Sequence, residues 1–547
     1  MIGESFRSAA PFGPPALASR CRTTMVSAGE CAGPLGFFQR LAETGEGSGA
    51  ALMESAAQGA PAGIRSLVLP RAVLRLVVRR GQAIYSLLEP DALPILEALE
   101  DRLRKDSGLC VREVTRLDRG RLRARFLGER EDPALPDEQR LRAPSVLDAV
   151  RVLAGLVGDE EPSSPPPGLY GAFSYELVDQ WEELPPRRPD PFDEPDLHLV
   201  FALDAVVFDH LRREVRVVTR SLSPSDAGGE ESRHSSYLQA LQDGDRPAGT
   251  GLTPEGARPA ILFPEALPDV PEEHFLSGAR KFLDHIRAGD IFQAVLSRGM
   301  RMPSGASPLS VYRVLRERNP SPYMFYLDLD DGVLLGASPE TSVKVEAGEV
   351  EIRPIAGTAP RGFLPDGSLD PELDSRLAVG LLLDRKEQAE HAMLVDLARN
   401  DVARVSVSGT RRVVDPFSIE KYSHVQHLVS RVRGTLRPDL DALHAYRAAA
   451  NLGTLTGAPK LRAMELIRET EPFSRGFYGG AVGYLLRDGT FDSCIVIRSL
   501  RYREGVYFTR AGAGIVADSI PERELEETLH KSLACRQAVA LAERGER

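Results

Sequence analysis

The sequence predicts a mixed α+β protein built on large antiparallel sheets, and three observations lead to that class. Near the C-terminus, the tight turns "RDG" and "REG" join the apolar runs "YGGAVGYLL", "TFDSCIVIRSL" and "GVYFTRAGAG", as in antiparallel strands. Strands and helices do not alternate as they do in a parallel α/β sheet. Hydrophobic residues make up 42% and charged residues 27% of the 547 residues, as in a globular protein of two or three domains.

Charge and cysteine content exclude several classes of function. The chain has 79 acidic and 68 basic residues, a formal charge of −11, and no basic block, which argues against nucleic acid or an anionic membrane as the main partner. No apolar run reaches the roughly 18 residues of a transmembrane helix. The five cysteines form no CxxC pair, so we expect neither a zinc ribbon nor a disulfide framework, and a reducing compartment, the cytoplasm.

Changes in composition divide the chain into four regions. Pro, Ser, Gly and Arg without periodicity predict a disordered start, and a stretch rich in Gly, Pro, Asp, Glu and Ser predicts a linker or large excursion. Between them, the apolar runs Leu199–Phe208 and Val215–Val218, and a shorter one within Gly49–Ser55, predict strands. The regions are a disordered extension at 1–34, an N-terminal region at 35–222, a linker at 223–272 and a C-terminal region at 273–541.

The C-terminal region opens with an amphipathic helix. Its apolar face includes Phe275 and Phe282, and Gly289 can supply the C-terminal cap. The segment "IFQAVLSR" then predicts a strand, and "VKVEAGEVEI" predicts a hairpin because its valines alternate on both sides of the turn. The last predicted helix runs over about 521–543.

Two predicted helices carry paired carboxylates. Glu387 and Glu390 are three residues apart and therefore share a helix face, and Glu524 and Glu527 repeat the spacing. Two such helices could meet around Mg²⁺, which prefers one or two carboxylates together with water and substrate oxygens. The same spacing is typical of a solvated helix face, so spacing alone leaves both interpretations open.

Several common catalytic motifs are absent from the sequence. It contains no GxxxxGK[ST] loop, no GxSxG turn and no HExxH pair. The glycine-rich "YGGAVGYL" leads into a predicted hairpin rather than a helix, which argues against a dinucleotide site. No cysteine lies in a glutaminase-like nucleophile turn, so we do not expect covalent catalysis by Ser or Cys.

A set of longer motifs resembles the chorismate-utilising enzymes, in particular the large subunits (component I) of anthranilate synthases. The motifs are "GASPETS", "RPIAGTAPRG", "AEHAMLVDLARND", "HLVSRVRGTL", "NLGTLTGAPK" and "GGAVGYLL", followed by "DSCIVIRS" and "AGAGIV". The resemblance spans about 37–540 and is dense from Glu273 onward. It implies a β-sandwich-like core flanked by helices, a Mg²⁺ cofactor, chorismate as substrate and a lyase that makes anthranilate for tryptophan biosynthesis.

The resemblance also implies roles for individual residues. Glu390 and Glu527 resemble the direct Mg²⁺ ligands, and Glu387 and Glu524 resemble those that reach the ion through water. Glu340 resembles the general acid for the departing hydroxyl. His427, in "YSHVQHLVS" interpreted as an apolar helix, resembles the histidine linked to pyruvate elimination. The remaining implied residues are Gln293 and Thr454 as catalytic groups, and Gly357, Thr358, Tyr478, Arg498, Gly512, Gly514 and Lys531 as substrate contacts.

Two positions favour one member of the family. Gln293 stands where the water-using synthases resemble one another in having Lys, and an amide cannot deprotonate water, whereas neutral ammonia needs no base. Ala356 stands where 4-amino-4-deoxychorismate synthases typically have a candidate nucleophilic Lys. Both positions favour amination at ring carbon 2. The alternatives are component I of an aminodeoxychorismate synthase, an anthranilate synthase of secondary metabolism, or a catalytically silent tryptophan-sensing subunit.

The N-terminal region resembles the regulatory half of these enzymes. Its segment "LMES" looks like the feedback element that binds tryptophan as an inhibitor. The residues implied for that pocket are Leu52, Glu54, Ser55, Asn319, Pro322, Tyr323, Met324 and Cys494. Because the chain lacks a glutaminase nucleophile, the resemblance also implies a glutamine amidotransferase partner (component II) in a heterotetramer.

Overall fold

The computed structural model of the chain describes residues 12–44, 50–55, 65–106, 109–126, 136–160, 165–222, 227–243, 266–364, 368–422 and 425–545. In the first part of the chain the strands are β1 (Leu17–Ser27), β2 (Ala51–Glu54), β3 (Arg65–Arg79), β4 (Gln82–Leu87), β5 (Val111–Arg116), β6 (Arg121–Phe126), β7 (Val157–Asp159), β8 (Gly168–Phe173), β9 (Leu197–Asp209) and β10 (Glu214–Ser221). The helices there are α1 (Pro34–Thr44), α2 (Leu93–Lys105), α3 (Asp137–Arg142), α4 (Asp148–Ala154) and α5 (Ala227–Asp243).

The second part of the chain begins with β11 (Leu267–Pro268). Its further strands are β12 (Gln293–Pro303), β13 (Tyr323–Leu329), β14 (Gly332–Ser338), β15 (Thr341–Glu346), β16 (Glu349–Ile352), β17 (Ile355–Pro360), β18 (Arg412–Lys421), β19 (Val425–Thr435), β20 (Gly457–Ala458), β21 (Ala481–Leu486), β22 (Phe491–Ile495), β23 (Ser499–Arg503) and β24 (Val506–Ile515). The helices are α6 (Glu272–Ala288), α7 (Pro308–Arg318), α8 (Pro371–Leu383), α9 (Arg385–Val405), α10 (Ala442–Ala449), α11 (Lys460–Thr470) and α12 (Pro521–Gly545). No helix in the described ranges is long and apolar enough to cross a membrane.

The strands form two large sheets. In the first sheet the order is β12–β24–β23–β14–β13–β2–β3–β9–β10–β1. In the second sheet it is β5–β6–β4–β3–β9–β8–β21–β22–β15–β16–β19–β18. Every pair in these two orders is antiparallel, and the parallel pair in the described structure joins β1 to β7.

The long strands β3 and β9 belong to both sheets. The register between them shifts between Val68 and Leu74, where β3 turns from the first sheet into the second. Pro70 lies in this irregular stretch, where the backbone N–H that proline lacks is not needed for a continuous ladder. The two sheets are therefore joined along continuous strands.

Three apolar cores separate four layers. Between the sheets, Phe325 of the first sheet and Val482 and Cys494 of the second belong to one buried cluster. On the outer face of the first sheet, α1, α5, α7 and α12 pack over one core, and on the outer face of the second sheet, α2, α4, α9 and α10 pack over another. This sandwich flanked by helices confirms the predicted fold class.

The predicted disordered extension at 1–34 is wrong where the structure describes it. Leu17–Ser27 is a strand that pairs with β10 from Arg20 to Ser27, and residues 1–11 lie outside the described residues. Most of its side chains are exposed or half-buried, because β1 is an edge strand held by its backbone hydrogen bonds. Such a strand carries no apolar periodicity for the sequence to reveal.

The predicted linker at 223–272 is also partly wrong. Helix α5 occupies Ala227–Asp243, and its Tyr237 and Leu241 are buried in the outer core of the first sheet. Residues 244–265 of the predicted linker lie outside the described residues. The helix is rich in Gly, Glu and Ser, so packing on the sheet rather than local composition stabilises it.

The regions predicted at 35–222 and 273–541 share both sheets. Strand β2 pairs with β13 in the first sheet, and β8 pairs with β21 in the second. The N-terminal region therefore contributes strands to the same sandwich as the C-terminal region.

Candidate active site

Two adjacent crossovers between the sheets bring the central site residues together. The chain leaves β14 in the first sheet and enters β15 in the second through Pro339 and Glu340, and it returns from β22 to β23 through 496–498. The Ile495 N–H donates to the Glu340 carbonyl at 3.0 Å, and the Ala337 N–H donates to the Arg498 carbonyl at 3.0 Å. The crossovers therefore run side by side.

Arg498 breaks the strand predicted from "TFDSCIVIRSL". Its φ of 49° lies in the left-handed region, and the structure has two strands, β22 and β23, in place of one. A non-glycine residue in a sparsely populated backbone conformation costs on the order of 1–3 kcal/mol and persists where the surroundings impose it. Here the change of sheet imposes it.

The Arg498 guanidinium is available to a ligand. The guanidinium forms no hydrogen bond and no ion pair with the described residues, although the surrounding protein buries it. Burial lowers its pKa, and Cys535, Glu340 and Tyr422 act in the opposite direction. A guanidinium fork with free donors suits a carboxylate, which it can bind with two parallel hydrogen bonds.

Glu340 is a buried carboxyl group that is poised to hold a proton. Burial raises its pKa from the ordinary 4.5 to about 7, while the Thr454 hydroxyl and the charges of Lys531 and Arg498 act to lower it. The net shift leaves a substantial protonated fraction at neutral pH. Such a carboxyl group can serve as a general acid.

His427 lies on a strand and not on the helix inferred from "YSHVQHLVS". It belongs to β19, opposite Thr358 of β17. A short apolar run cannot be assigned to helix or strand by periodicity alone, and here pairing with the neighbouring strands decided the outcome.

The contacts of His427 define its protonation state. Its Nδ1 lies 3.2 Å from the Gly357 carbonyl oxygen and 3.0 Å from the Thr358 hydroxyl. Because a carbonyl only accepts, Nδ1 carries the hydrogen and Nε2 keeps its lone pair. Burial, and then the charge of Arg498, lowers the pKa of His427 to about 4, so the ring is neutral at pH 7 with a free acceptor.

The four predicted metal-binding glutamates lie where the first turns of α9 and α12 approach each other. Burial raises the pKa values of Glu387, Glu390 and Glu524, and the charge of Glu527 raises all three further. Glu527 itself pairs with the Lys531 ammonium at 2.6 Å. Within the described residues, no three His, Cys, Asp or Glu side chains are close enough to hold a metal ion by themselves.

Gly357 joins this acidic group to the histidine. Its φ is 65°, and a Cβ there would lie 2.9 Å from the Oε2 atom of Glu387, so the position favours glycine. The Gly357 carbonyl also accepts from His427. The carboxylates and the imidazole thus face the same short stretch of backbone.

Two more predicted site residues, Gln293 and Tyr478, pack against glycines of β24. A Cβ on Gly514 would lie 2.8 Å from the Nε2 atom of Gln293, and a Cβ on Gly512 would lie 3.0 Å from the Tyr478 hydroxyl. Lys531 donates to the Gly512 carbonyl at 3.0 Å. Gln293 is buried, and its Oε1 atom has no hydrogen-bond partner among the described residues.

The residues predicted for the tryptophan pocket fall on two faces of the first sheet. Strands β2 and β13 are neighbours, with Glu54 opposite Met324. Leu52 and Met324 belong to the outer core, and Glu54 accepts hydrogen bonds there from Tyr312 at 2.7 Å and Arg316 at 3.0 Å. These three side chains therefore face α7.

The other members of that set lie toward the second sheet or beside it. Cys494 and the Tyr323 ring pack between the sheets, and the Tyr323 hydroxyl donates to Asp492 at 2.9 Å. Asn319 and Pro322 lie between α7 and β13. The Ser55 hydroxyl and the Asn319 Nδ2 atom are buried and have no hydrogen-bond partner in the part of the chain that the structure describes.

Tyr422 is a site residue that sequence reasoning missed. Its ring lies edge-on to the His427 ring with 5.5 Å between centroids, and its hydroxyl donates to Glu420 at 3.0 Å. It also contributes to the electrostatic environment of Arg498. In the sequence, Tyr422 is an aromatic residue five positions before His427. The sequence does not show the strand pairing that brings the two rings together.

The chain is similar to known proteins over most of its length. Residues 121–536 match the family described as chorismate binding enzyme. An anthranilate synthase component 1 of Vibrio cholerae is 40% identical, over 90% of this chain and 92% of that protein. The pyocyanine-specific anthranilate synthase component 1 of Pseudomonas aeruginosa is 46% identical, over 80% of this chain and 82% of that protein.

A solved structure extends the likeness to the fold. The crystal structure of anthranilate synthase component I from Streptococcus pneumoniae superposes with a TM-score of 0.64 at 28% identity, covering 88% of this chain and 93% of that one. The chain belongs to the family of chorismate binding enzymes and, within it, to the relatives of anthranilate synthase component 1.

The raised pKa of Glu340 predicts a pH-dependent stability difference. Between pH 4.5 and about 7 the folded protein binds more protons at this group than the unfolded chain does, so the group's contribution to stability falls as pH rises through that window. Glu340→Gln should therefore gain stability relative to the wild type from pH 4.5 to 7, with a constant difference above. Urea unfolding at several pH values measures this. The exposed Glu526→Gln is the control, and a flat difference for Glu340→Gln would contradict the assignment.

Proposed function

We propose that this chain converts chorismate and ammonia to anthranilate and pyruvate, as a lyase of tryptophan biosynthesis. The observation that carries the proposal is the meeting of Arg498, a protonated Glu340 and a neutral His427 at one buried site. Chorismate carries two carboxylates, a hydroxyl that must leave and an enolpyruvyl ether that must be eliminated. An anion-binding fork, an acid and a base are the groups this chemistry requires.

In the first step ammonia adds to ring carbon 2 and the hydroxyl leaves carbon 4. Arg498 and Lys531 bind the carboxylates of the substrate, which positions the ring. Glu340 gives its proton to the departing hydroxyl, which leaves as water, because hydroxide is a poor leaving group. Gln293 cannot act as a base, but neutral ammonia needs none, so the step yields the aminated, non-aromatic intermediate.

In the second step the ring carbon–oxygen bond to the enolpyruvyl group breaks, and this group leaves as the enolate of pyruvate, which takes up a proton to become pyruvate. The Nε2 atom of His427 accepts the proton that the ring carbon loses as the ring becomes aromatic. The hydrogen bond from Nδ1 to the Gly357 carbonyl orients the ring for this role. A pKa of about 4 keeps the imidazole neutral before the step, so it is ready to accept a proton.

The glutamates of α9 and α12 fit a bound Mg²⁺ ion, with Glu390 and Glu527 as direct ligands and Glu387 and Glu524 acting through water. The charge of Glu527 raises the pKa values of the other three glutamates, and a divalent cation would relieve that repulsion. Mg²⁺ needs only one or two carboxylates when water and substrate supply the rest, which fits the absence of a closed three-residue group among the described residues. When bound, the ion supplies positive charge for a substrate carboxylate.

Two rival functions are less well supported. An aminodeoxychorismate synthase with a nucleophilic lysine is disfavoured, because the corresponding position is the small, buried Ala356 of β17. A silent tryptophan-sensing subunit would not need Glu340 and four clustered glutamates. A role in secondary metabolism remains the alternative that the pyocyanine-specific relative favours.

A separate glutamine amidotransferase supplies the ammonia in this proposal. The Cys494 and Cys535 thiols are buried, and burial raises the pKa of Cys535 to about 12 and that of Cys494 further. Thiols in that state are poor nucleophiles. The partner would be the component that the number in "component 1" implies for the relatives, in a cytoplasmic heterotetramer.

The first test follows anthranilate fluorescence from the purified chain with chorismate and Mg²⁺. Ammonium salts should support synthesis and glutamine should not, until a cognate glutaminase subunit is added. At fixed total ammonium the rate should rise with pH as neutral ammonia increases, and it should level off above about pH 7, where loss of the Glu340 proton offsets that increase. The rate divided by the ammonia concentration should decline above about pH 7, where Glu340 loses its proton. Glutamine use by the rigorously pure chain would refute the need for a partner, and lack of any anthranilate would refute the function.

The second test concerns the metal. Glu390→Gln and Glu527→Gln should each weaken Mg²⁺ binding, measured by calorimetry without turnover, because each removes a charge from the inner ligands of a hard cation. Glu526→Gln makes the same chemical change at an exposed position of α12 and serves as the control. Equal Mg²⁺ affinity in all three variants would remove Glu390 and Glu527 from the site.

We also propose that the space near Ser55 and Asn319 binds tryptophan as a feedback inhibitor. The support is a buried hydroxyl and a buried amide group that lack partners among the described residues and that could bind the amino and carboxylate groups of an amino acid. Tyr323 of the first sheet and Cys494 of the second sheet both pack between the two sheets. We do not propose that Glu54 touches tryptophan, because its carboxylate binds Tyr312 and Arg316 of α7.

Ser55→Phe tests this pocket. The larger side chain should fill the space and reduce tryptophan inhibition at least tenfold in the inhibition constant, with chorismate turnover little changed, because overpacking acts locally. Ser408→Phe, at an exposed turn, is the matched control. Inhibition assays on both variants decide the matter, and wild-type tryptophan sensitivity in Ser55→Phe would exclude Ser55 from the pocket.

A further inference from the structure

Arg475 is a fully buried arginine that none of the proposed steps uses. It follows α11, and its guanidinium binds the Glu471 carboxylate through two nitrogens, at 2.6 and 2.9 Å. The remaining donors bind two backbone carbonyls, that of Leu455 at 2.6 Å and that of Val295 at 2.8 Å. One side chain thus connects α11, strand β12 and the loop before β20.

That loop presents Thr454 to Glu340. It begins at Asn451, whose φ of 57° is left-handed and whose amide donates to the Tyr175 carbonyl at 3.0 Å. It ends at Leu455, whose carbonyl Arg475 holds. Because both ends of the loop are tied to fixed partners, Thr454 between them is held in place. Its hydroxyl is buried, has no hydrogen-bond partner among the described residues, and acts to lower the pKa of Glu340.

Arg475 also lies against two tyrosine rings. Its guanidinium carbon is 5.8 Å from the centroid of Tyr478, a predicted substrate contact, and 4.8 Å from the centroid of Tyr175. Tyr175 and Glu176 belong to a short 3₁₀ helix of the N-terminal region, and the Glu176 carboxylate accepts from the Arg475 backbone N–H at 2.9 Å. The N-terminal region therefore contacts Arg475 directly, through Tyr175 and Glu176.

The opposite end of this network is equally buried. Glu471 accepts from the Ser297 N–H and hydroxyl, each at 2.8 Å, which ties it to β12 two residues beyond Val295. Arg475 is thus held between a strand of the first sheet and a helix of the N-terminal region. A guanidinium fork can satisfy a carboxylate and two carbonyls at once, whereas a lysine ammonium is a compact charge with three donors on a flexible stem.

We propose that Arg475 is a positioning residue for the reaction. It holds the Leu455 carbonyl and the Tyr478 ring so that Thr454 and Tyr478 face the reacting groups, and Tyr175 and Glu176 hold Arg475 in turn. The consequence is that the N-terminal region completes the catalytic geometry as well as carrying the proposed inhibitor pocket. The inference rests on the proposed roles of Glu340 and Thr454.

The test compares buried-arginine variants of the full chain in the ammonium-dependent reaction. Arg475→Lys keeps the charge beside Glu471 but cannot hold both carbonyls, so kcat should fall roughly 10- to 100-fold, since small misplacements of catalytic groups have effects of that size. The KM for chorismate should change less than about threefold, because Arg498 and Lys531 are untouched. Arg220→Lys is the matched control. Arg220 of β10 is a buried arginine that binds the Asp159 carboxylate through two nitrogens, at 2.8 and 3.2 Å, and donates to the backbone carbonyls of Leu203 and Pro165. None of these partners lies in the loop or in the 3₁₀ helix that carries Tyr175.

A second pair of variants tests the contact with the N-terminal region. The Tyr175 hydroxyl is buried without a hydrogen-bond partner among the described residues, so Tyr175→Phe should keep wild-type kcat. Tyr175→Leu removes the ring beneath the guanidinium and should lower kcat in the same sense as Arg475→Lys, again with little change in KM. Thermal unfolding of all four variants separates loss of folded protein from loss of rate per folded molecule.

The outcomes distinguish this inference from the function on which it rests. If the wild-type chain makes no anthranilate, the proposed function fails. If the wild type is active and Arg475→Lys retains its kcat within about twofold, or loses no more than Arg220→Lys does, Arg475 is only a structural residue. Equal activity of Tyr175→Leu and Tyr175→Phe would remove the N-terminal contact from the proposal.

Discussion

The side-by-side crossovers at Glu340 and Arg498 are the constraint on which the site depends. Each crossover carries the chain from one sheet to the other, and reciprocal backbone hydrogen bonds tie the two together at 3.0 Å. At the second crossover β22 ends and β23 begins, and Arg498 between them has a left-handed backbone. Both functional side chains therefore lie beside each other where the chain passes between the sheets, and the pairing of β15 with β22 is irregular just after Glu340, between Thr341 and Lys344.

Burial at this end sets the protonation of an acid and a base in opposite directions. Desolvation raises the pKa of Glu340 to about 7 and lowers that of His427 to about 4, because in each case it disfavours the charged form. Arg498 is close enough to act on both, and its charge limits the shift of Glu340 while it increases that of His427. Burial thus keeps a carboxyl group able to donate and an imidazole able to accept near neutral pH.

The N-terminal region is built into this arrangement from two sides. Its strand β2 lies beside β13, whose Tyr323 hydroxyl accepts a hydrogen bond at 3.2 Å from Thr341, the residue after Glu340. Its 3₁₀ helix carries Tyr175 against Arg475 behind Thr454. Because these contacts cross both sheets, the N-terminal region cannot be removed without exposing the residues that support the site.

The sequence by itself determined the elements whose signals are local. Helix α6 with its Gly289 cap, helix α9 with its paired glutamates, and the hairpin of β15 and β16 follow from periodicity, capping and turn residues. The long collinear motifs likewise identified the family and most of the candidate site residues, since residue identity at fixed spacing needs no coordinates.

Only the tertiary structure decided which distant residues meet. Edge strand β1 and helix α5 lack strong apolar patterns, and they are stabilised by backbone pairing and by packing on the first sheet. The break at Arg498, the strand that carries His427, and the division of the tryptophan set between two faces all depend on how strands pair. Side-chain patterns report burial along one segment, whereas pairing and sheet crossovers depend on contacts between residues far apart in the chain.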